Sequence, residues 1–229
     1  HGLVDARLVV PSRLPRFAAT LDTTAFRHDG PDGPVKLGLG SSAALTAALA
    51  FAVVRWLDAD AVAERSTEWL TRLREIHRAS QGGRGSGIDI AASLLGGVVE
   101  YRLDDGDAIA AARRVPLPDT LHMVVAWTGR SADTGSFLEQ LWHRLAIDPG
   151  PVNAAIAALG ASSRDGISAL HEGRVGGFLD AVSHFLTRLD ELGRVCAMNI
   201  VSNVHRAVAE LASACGAVYK PSGAGGGDI

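Results

Sequence analysis

A two-lobed α+β fold is what this sequence predicts, and three observations predict it. Strand-like and helix-like segments mix without the regular alternation that builds a parallel βαβ sheet. Pro116 and Pro118 interrupt the chain near its middle and divide it into lobes of residues 1–117 and 118–229. With 229 residues in all, each lobe, at roughly 100 residues, is long enough to bury a core of its own.

The elements follow in order. Leu3 to Thr24 carries short apolar runs broken by Pro11 and Pro15, which predicts strands and turns. His28 to Pro34, HDGPDGP, reads as a turn-rich loop. Ser41 to Leu57 is nearly all apolar and alanine-rich, the pattern of a buried helix with serines at its start. Asp58 to Ser80 is amphipathic, with Val62, Trp69, Leu73 and Ile76 at helical spacing. A loop at Gln81 to Gly87, a short helix from Asp89 and a strand at Gly97 to Leu103 complete the first lobe. Beyond the prolines, Leu121 to Trp127 reads as an apolar strand, followed by helices through Leu192 and another from Asn199 to Cys215. Val218 and Tyr219 suggest a short strand leading into a last glycine loop. Trp56, Trp69 and Trp142 lie at helical spacing among apolar residues and are expected in the core. The chain stops at Ile229, where a further strand would begin, so it reads as missing segments at its ends.

Composition narrows the function classes. Charged residues make up 21% and apolar residues 47%, an ordinary globular balance. The longest apolar run, Ala43 to Val54, contains Thr46 and ends at Arg55, too short to span a bilayer. No secretory signal opens the sequence, so a soluble, cytoplasmic setting without membrane partners is expected. A net charge of −3 gives no footprint for nucleic acid. Cys196 and Cys215 lie in apolar, helix-like stretches and read as two buried thiols. All basic residues except Lys36 and Lys220 are arginine, and both lysines adjoin glycine-rich segments. A compact ammonium suits a phosphate where a planar guanidinium does not fit.

Three glycine loops carry the chemistry. The first, Gly38-Leu39-Gly40-Ser41-Ser42-Ala43, runs into the buried helix. Glycines let backbone approach an anion, and the free amides and dipole of the helix then hold it. The same residues also suit a tight turn and a capped helix, and both readings stay open. A dinucleotide fingerprint fails here, because GPDGPVK rather than a buried strand precedes the loop. A Walker loop fails too, since its lysine follows the glycines. The second loop, QGGRGSG, leads into Asp89 at a helix start, a position for a cap or for a carboxylate that orients a substrate hydroxyl. The third, Ser222 to Gly227, follows Lys220.

Together, KLGLGSSAA, GSGIDIAA and KPSGAGGGD resemble, in that order, the motifs of the GHMP kinase superfamily. TGRSADT, after the strand at Leu121, resembles a further family segment, so the resemblance spans roughly Leu21 to Ile229. It implies an N-terminal nucleotide-binding lobe like domain 2 of ribosomal protein S5 and a ferredoxin-like α+β C-terminal lobe. Lys36 directly before the glycine loop, HRASQGGRGSGIDIAA and KPSGAGGGD are most similar to the phosphomevalonate kinase branch. Mevalonate kinases carry a magnesium-binding glutamate where His77 stands, and PSG where this chain has GSG, which argues against mevalonate as acceptor.

The resemblance implies ATP and Mg2+ as cofactors and phosphomevalonate as the small-molecule partner, with a homodimer left open. Gly38, Leu39, Gly40, Ser41, Ser42 and Ala43 would cradle the nucleotide phosphates, with Ser42 also near the metal. Lys36 would stabilise the transferring phosphoryl group, and Asp89 would take the catalytic aspartate position. His77, Arg84, Ser86, Ser222, Gly223, Ala224 and Gly225 would line the acceptor pocket, with Arg78 and Arg130 as weaker candidates. Two family features are not recognisable: the N-terminal proline-glycine motif before Leu37 and the strands after the last loop. Another GHMP kinase, for mevalonate or a sugar, and a non-catalytic sensor of the same fold are the alternatives.

Overall fold

The computed structural model describes residues 18–30, 33–57, 66–83, 85–129, 134–223 and 225–227. Contacts divide the chain into two compact units, one containing Gly40–Val115 and the other Phe26–Leu39 with Pro116–Ile229.

The first unit sets helices against a β-hairpin. Helix α1 (Ser41–Leu57) turns Ala43, Ala47, Ala50, Val53 and Val54 to one face, a stripe at helical spacing that buries against its neighbours. Alanine and leucine favour the helix intrinsically, and the small side chains let other elements pack close. Helix α2 (Ser66–Ser80) contributes Trp69, Leu70 and Leu73, and α3 (Ile88–Leu95) contributes Ile90 and Ala91. Strands β3 (Val98–Leu103) and β4 (Ile109–Val115) pair antiparallel from Val98↔Val115 to Leu103↔Ile109, with an irregularity at Arg102/Leu103. Val99, Tyr101, Ile109 and Ala112 pack that hairpin against the helical core. Strand β4, rich in alanine and arginine, was not expected from the sequence.

The second unit begins with the short hairpin β1 (Arg27–Gly30) and β2 (Gly33–Lys36), registered from Arg27↔Lys36 to Gly30↔Gly33. HDGPDGP was read as a loop, but Arg27–Gly30 and Gly33–Lys36 pair as a hairpin whose four-residue arms carry too little pattern to register as strands. Four helices follow: α4 (Thr134–Ile147), α5 (Pro149–His171), α6 (Val175–Cys196) and α7 (Asn203–Ala214). The short turn between α5 and α6 folds them into a helical hairpin, with Gly166 facing Ala181 and Phe178 across it. Val152, Leu189, Leu192, Cys196, Met198, Ile200 and Val201 form this unit's core, and Phe137 and Leu141 of α4 close over it.

Several expectations are corrected. Leu121–Trp127 and Val218–Tyr219 are not strands, because no described segment offers either of them a ladder. Trp69 is buried as expected, whereas Trp56 and Trp142 are exposed. Cys196 is buried, but Cys215 at the end of α7 is exposed, and both are free thiols. Residues 58–65, including Val62, and most of Leu3–Thr24 lie outside the described residues. No helix among the described residues is long and apolar enough to cross a membrane.

Candidate active site

Helix α1 starts where Ala44 N donates to Gly40 O at 3.0 Å, so the amides of Ser41, Ser42 and Ala43 precede the first intrahelical bond. Gly40 adopts φ 69°, a left-handed turn that swings the loop into the helix. Helix α3 starts the same way: Ala91 N donates to Gly87 O, Gly87 sits at φ 84°, and no side chain caps the end. Asp89 therefore lies in the first turn without serving as a cap, contrary to the commonest role of an aspartate there. Its Oδ1 accepts from Ile90 N at 2.9 Å.

His77 joins the two helix starts. It projects from the last turn of α2 and is only 3% exposed. Its Nε2 lies 3.3 Å from Ser42 Oγ and 3.2 Å from the Gln81 side-chain nitrogen. Its Nδ1 faces Asp89 Oδ2 at 3.8 Å. Ser42 and Asp89, 47 positions apart in sequence, thus meet on opposite sides of one imidazole. His77, read from the sequence as lining the acceptor pocket, is buried between Ser42 and Asp89.

A second network fixes the loop between α2 and α3. Arg74, also buried, donates through Nε to Ser86 O at 2.7 Å and through Nη1 to Asp107 O at 2.6 Å. Its Nη2 pairs with the Asp107 carboxylate. Arg78 pairs with the other Asp107 oxygen and donates to Gly83 O. Tyr101 Oη adds a bond to Ser86 O at 2.7 Å. The Arg78 hydrogen bond, reinforced by Arg74, holds the Asp107 carboxyl below its ordinary range, and burial pushes the Tyr101 hydroxyl up. Arg78 is thus committed within the protein. Gln81, Arg74 and Asp107 were missed from the sequence. Gln81 stands four residues after His77 and was legible as its neighbour, whereas nothing local marks Asp107.

In the second unit Lys36 ends β2, paired in register with Arg27. Gly38 and Leu39 of the first glycine loop are exposed. In the last loop, a Cβ at Gly225 would stand 2.6 Å from Ile200 O, and Gly226 N donates to that same oxygen. These glycines let the loop lie flat on the segment after α6. Ser222 and Gly223 are exposed, and Gly223 has open space around it. Lys220 Nζ donates to Pro221 O at 2.8 Å and stands 5.4 Å over the Phe185 ring, and its surroundings hold its pKa down through desolvation. Arg84, Arg130 and Ala224 lie outside the described residues.

The amides of Ser41, Ser42 and Ala43 precede the first intrahelical bond of α1, and Ser42 Oγ and the Asp89 carboxylate are the oxygen donors a metal there would meet. No cluster of three or more His, Cys, Asp or Glu side chains suited to a metal exists among the described residues. That sparse donor set fits an ion carried mainly by phosphate oxygens, as magnesium is with nucleotides.

Comparison with known proteins bears on this arrangement. The family model for the GHMP kinases N terminal domain matches residues 29–97, which contain the first two glycine loops. A phosphomevalonate kinase from Streptomyces sp. (strain CL190) is 30% identical over 230 residues, covering 92% of this chain and 60% of that protein. Among solved structures, a Lin0012 protein from Listeria innocua superposes with a TM-score of 0.77 at 24% identity, covering 87% of this chain and 60% of that one. The chain therefore spans about 60% of the length of each of these relatives. Its described helices and strands form an α+β fold, and within it residues 29–97 are similar to the GHMP kinases N terminal domain.

Proposed function

We propose that the protein transfers the γ-phosphoryl group of ATP to the phosphate of 5-phosphomevalonate, forming 5-diphosphomevalonate and ADP. The observation that carries this reading is the meeting of Ser42 and Asp89 on His77, beside the first-turn amides of α1. Those amides and the helix dipole favour the nucleotide phosphates, and Gly38 to Ala43 form their cradle. Ser42 and Asp89 would hold a magnesium ion carried in by the nucleotide, which would supply neutralisation of phosphate charge. Lys36 stabilises the transferring phosphoryl group. An acceptor phosphate oxygen attacks γ-phosphorus while the bond to the β-phosphate oxygen breaks, and ADP departs. That acceptor is ionised near neutral pH, so no strong base is needed. Asp89 orients charge at the reacting centre and leaves the proton balance alone. Ser86 in the first unit and, separately, Ser222, Gly223 and Gly225 in the second are the acceptor-binding candidates.

The test is an ADP-release assay with magnesium-ATP and, in turn, 5-phosphomevalonate, mevalonate and galactose, using the complete polypeptide. Turnover is expected with phosphomevalonate alone. Turnover with mevalonate or galactose reassigns the acceptor, and nucleotide binding without any turnover favours a sensor. Asp89→Asn should lower kcat by about a hundredfold or more, the scale of losing one preorganised charge at the reacting centre. Near-full turnover by the folded variant removes Asp89 from the chemistry.

A further inference from the structure

We propose that His77 is a positioning residue: it accepts the Ser42 hydroxyl proton in a hydrogen bond, turning the oxygen lone pairs toward a nucleotide-borne cation, and steadies the Asp89 carboxylate beside it. The proposal rests on the kinase reading and assigns the imidazole a task within that site. A hydroxyl has one hydrogen and two lone pairs, and a cation needs a lone pair. If the hydrogen points outward it opposes the cation, so the hydroxyl must be turned before metal arrives.

The surroundings of His77 fix the direction. The Gln81 side-chain nitrogen, 3.2 Å from Nε2, donates and cannot accept. With its hydrogen on the opposite edge, Nε2 is the acceptor of the ring, and its one lone pair is shared between Gln81 and the Ser42 hydroxyl at 3.3 Å. The ring hydrogen then resides on Nδ1, the edge that faces Asp89 Oδ2 at 3.8 Å. This separation is long for a hydrogen bond but close enough for the edge to feel the carboxylate charge. At 3% exposure, water offers Nε2 little competition. Asp89 is held from the other side by Ile90 N, which donates to Oδ1. One buried ring thereby presets both oxygen donors of the site, a supporting role whose loss from a metal site costs about tenfold or more in metal affinity.

Two measurements on the whole chain test this. First, two-bond 1H–15N correlation spectra of the free protein, recorded where imidazole is uncharged and assigned by the signal lost in His77→Gln, report the ring tautomer. Hydrogen on Nδ1 is expected, and hydrogen on Nε2 overturns the proposal. Second, binding of a fluorescent ATP analogue is titrated with Mg2+ for the wild type, His77→Phe and His77→Gln, with melting temperatures alongside. His77→Phe should need about tenfold more Mg2+, and His77→Gln, whose amide oxygen can accept from Ser42, should recover much of the loss. A folded His77→Phe with the wild-type Mg2+ requirement overturns the proposal, as does wild-type nucleotide binding indifferent to Mg2+. If His77→Phe does not fold, the tautomer and the His77→Gln titration decide. Neither readout needs a phosphoryl acceptor, so failure of the substrate assignment is seen separately in the ADP-release assay.

Discussion

At Gly87 the backbone lies in the left-handed region, and a Cβ there would stand 2.6 Å from Arg74 Cγ. Arg74 cannot yield cheaply, because its guanidinium is committed to Ser86 and Asp107. Gly97 has a similar φ, 68°, but open space around it. Gly97→Ala should therefore cost about 1–2 kcal/mol from backbone strain alone. Gly87→Ala adds overpacking and should cost about 1–3 kcal/mol more. Urea unfolding of the two variants checks the order, and equal losses would mean that Arg74 moves aside freely. A glycine in the run GRGSG is legible in sequence as flexible; that Gly87 is needed for room is not.

Among elements, the β3–β4 turn acts on the loop between α2 and α3 through Asp107. Its backbone is itself left-handed, at φ 64°, and its carboxylate receives both Arg74 and Arg78. The folded carboxyl titrates below its unfolded value, chiefly through the Arg78 hydrogen bond. Its stabilising contribution is thus complete above the unfolded carboxylate range and fades as pH falls through the depressed folded value. Amide exchange in residues 81–87 should accelerate at strongly acid pH in the wild type. Asp107→Asn should show faster exchange there already at neutral pH, with the acid step removed. Unchanged exchange in that variant would mean that Tyr101 and the loop backbone suffice to hold the segment.

At the scale of the molecule, the described residues form two hydrophobic cores, one in each unit. Leu73, 1% exposed, sits among Trp69, Leu70 and Ile90. Leu73→Ala should destabilise by about 2–5 kcal/mol, the range for emptying a leucine site in a packed core. Hydrogen exchange should place the loss first in α1, α2 and α3, which share that core. Exchange that rises first in α5 and α6 instead would show that the helical hairpin depends on Leu73.

The sequence by itself determined the helices of long, strongly patterned segments and the glycine-rich motifs that resemble a known family. These signals are local: alanine-rich periodicity at Ser41–Leu57, left-handed glycines, and motif spacing are all written within a few turns of chain. Tertiary structure decided what depends on distant partners. Leu121–Trp127 has the apolar content of a strand, yet a strand exists only where a ladder pairs with it. Trp56 and Trp142 share helical spacing with buried residues but face outward, because burial depends on what packs against each face. His77 followed the same rule. Its letter and its place before QGGRGSG marked it as near the site. Only the packing of α2 against α1 and α3 put it between Ser42 and Asp89, since a hydrogen bond between positions 42 and 77 has no local signature.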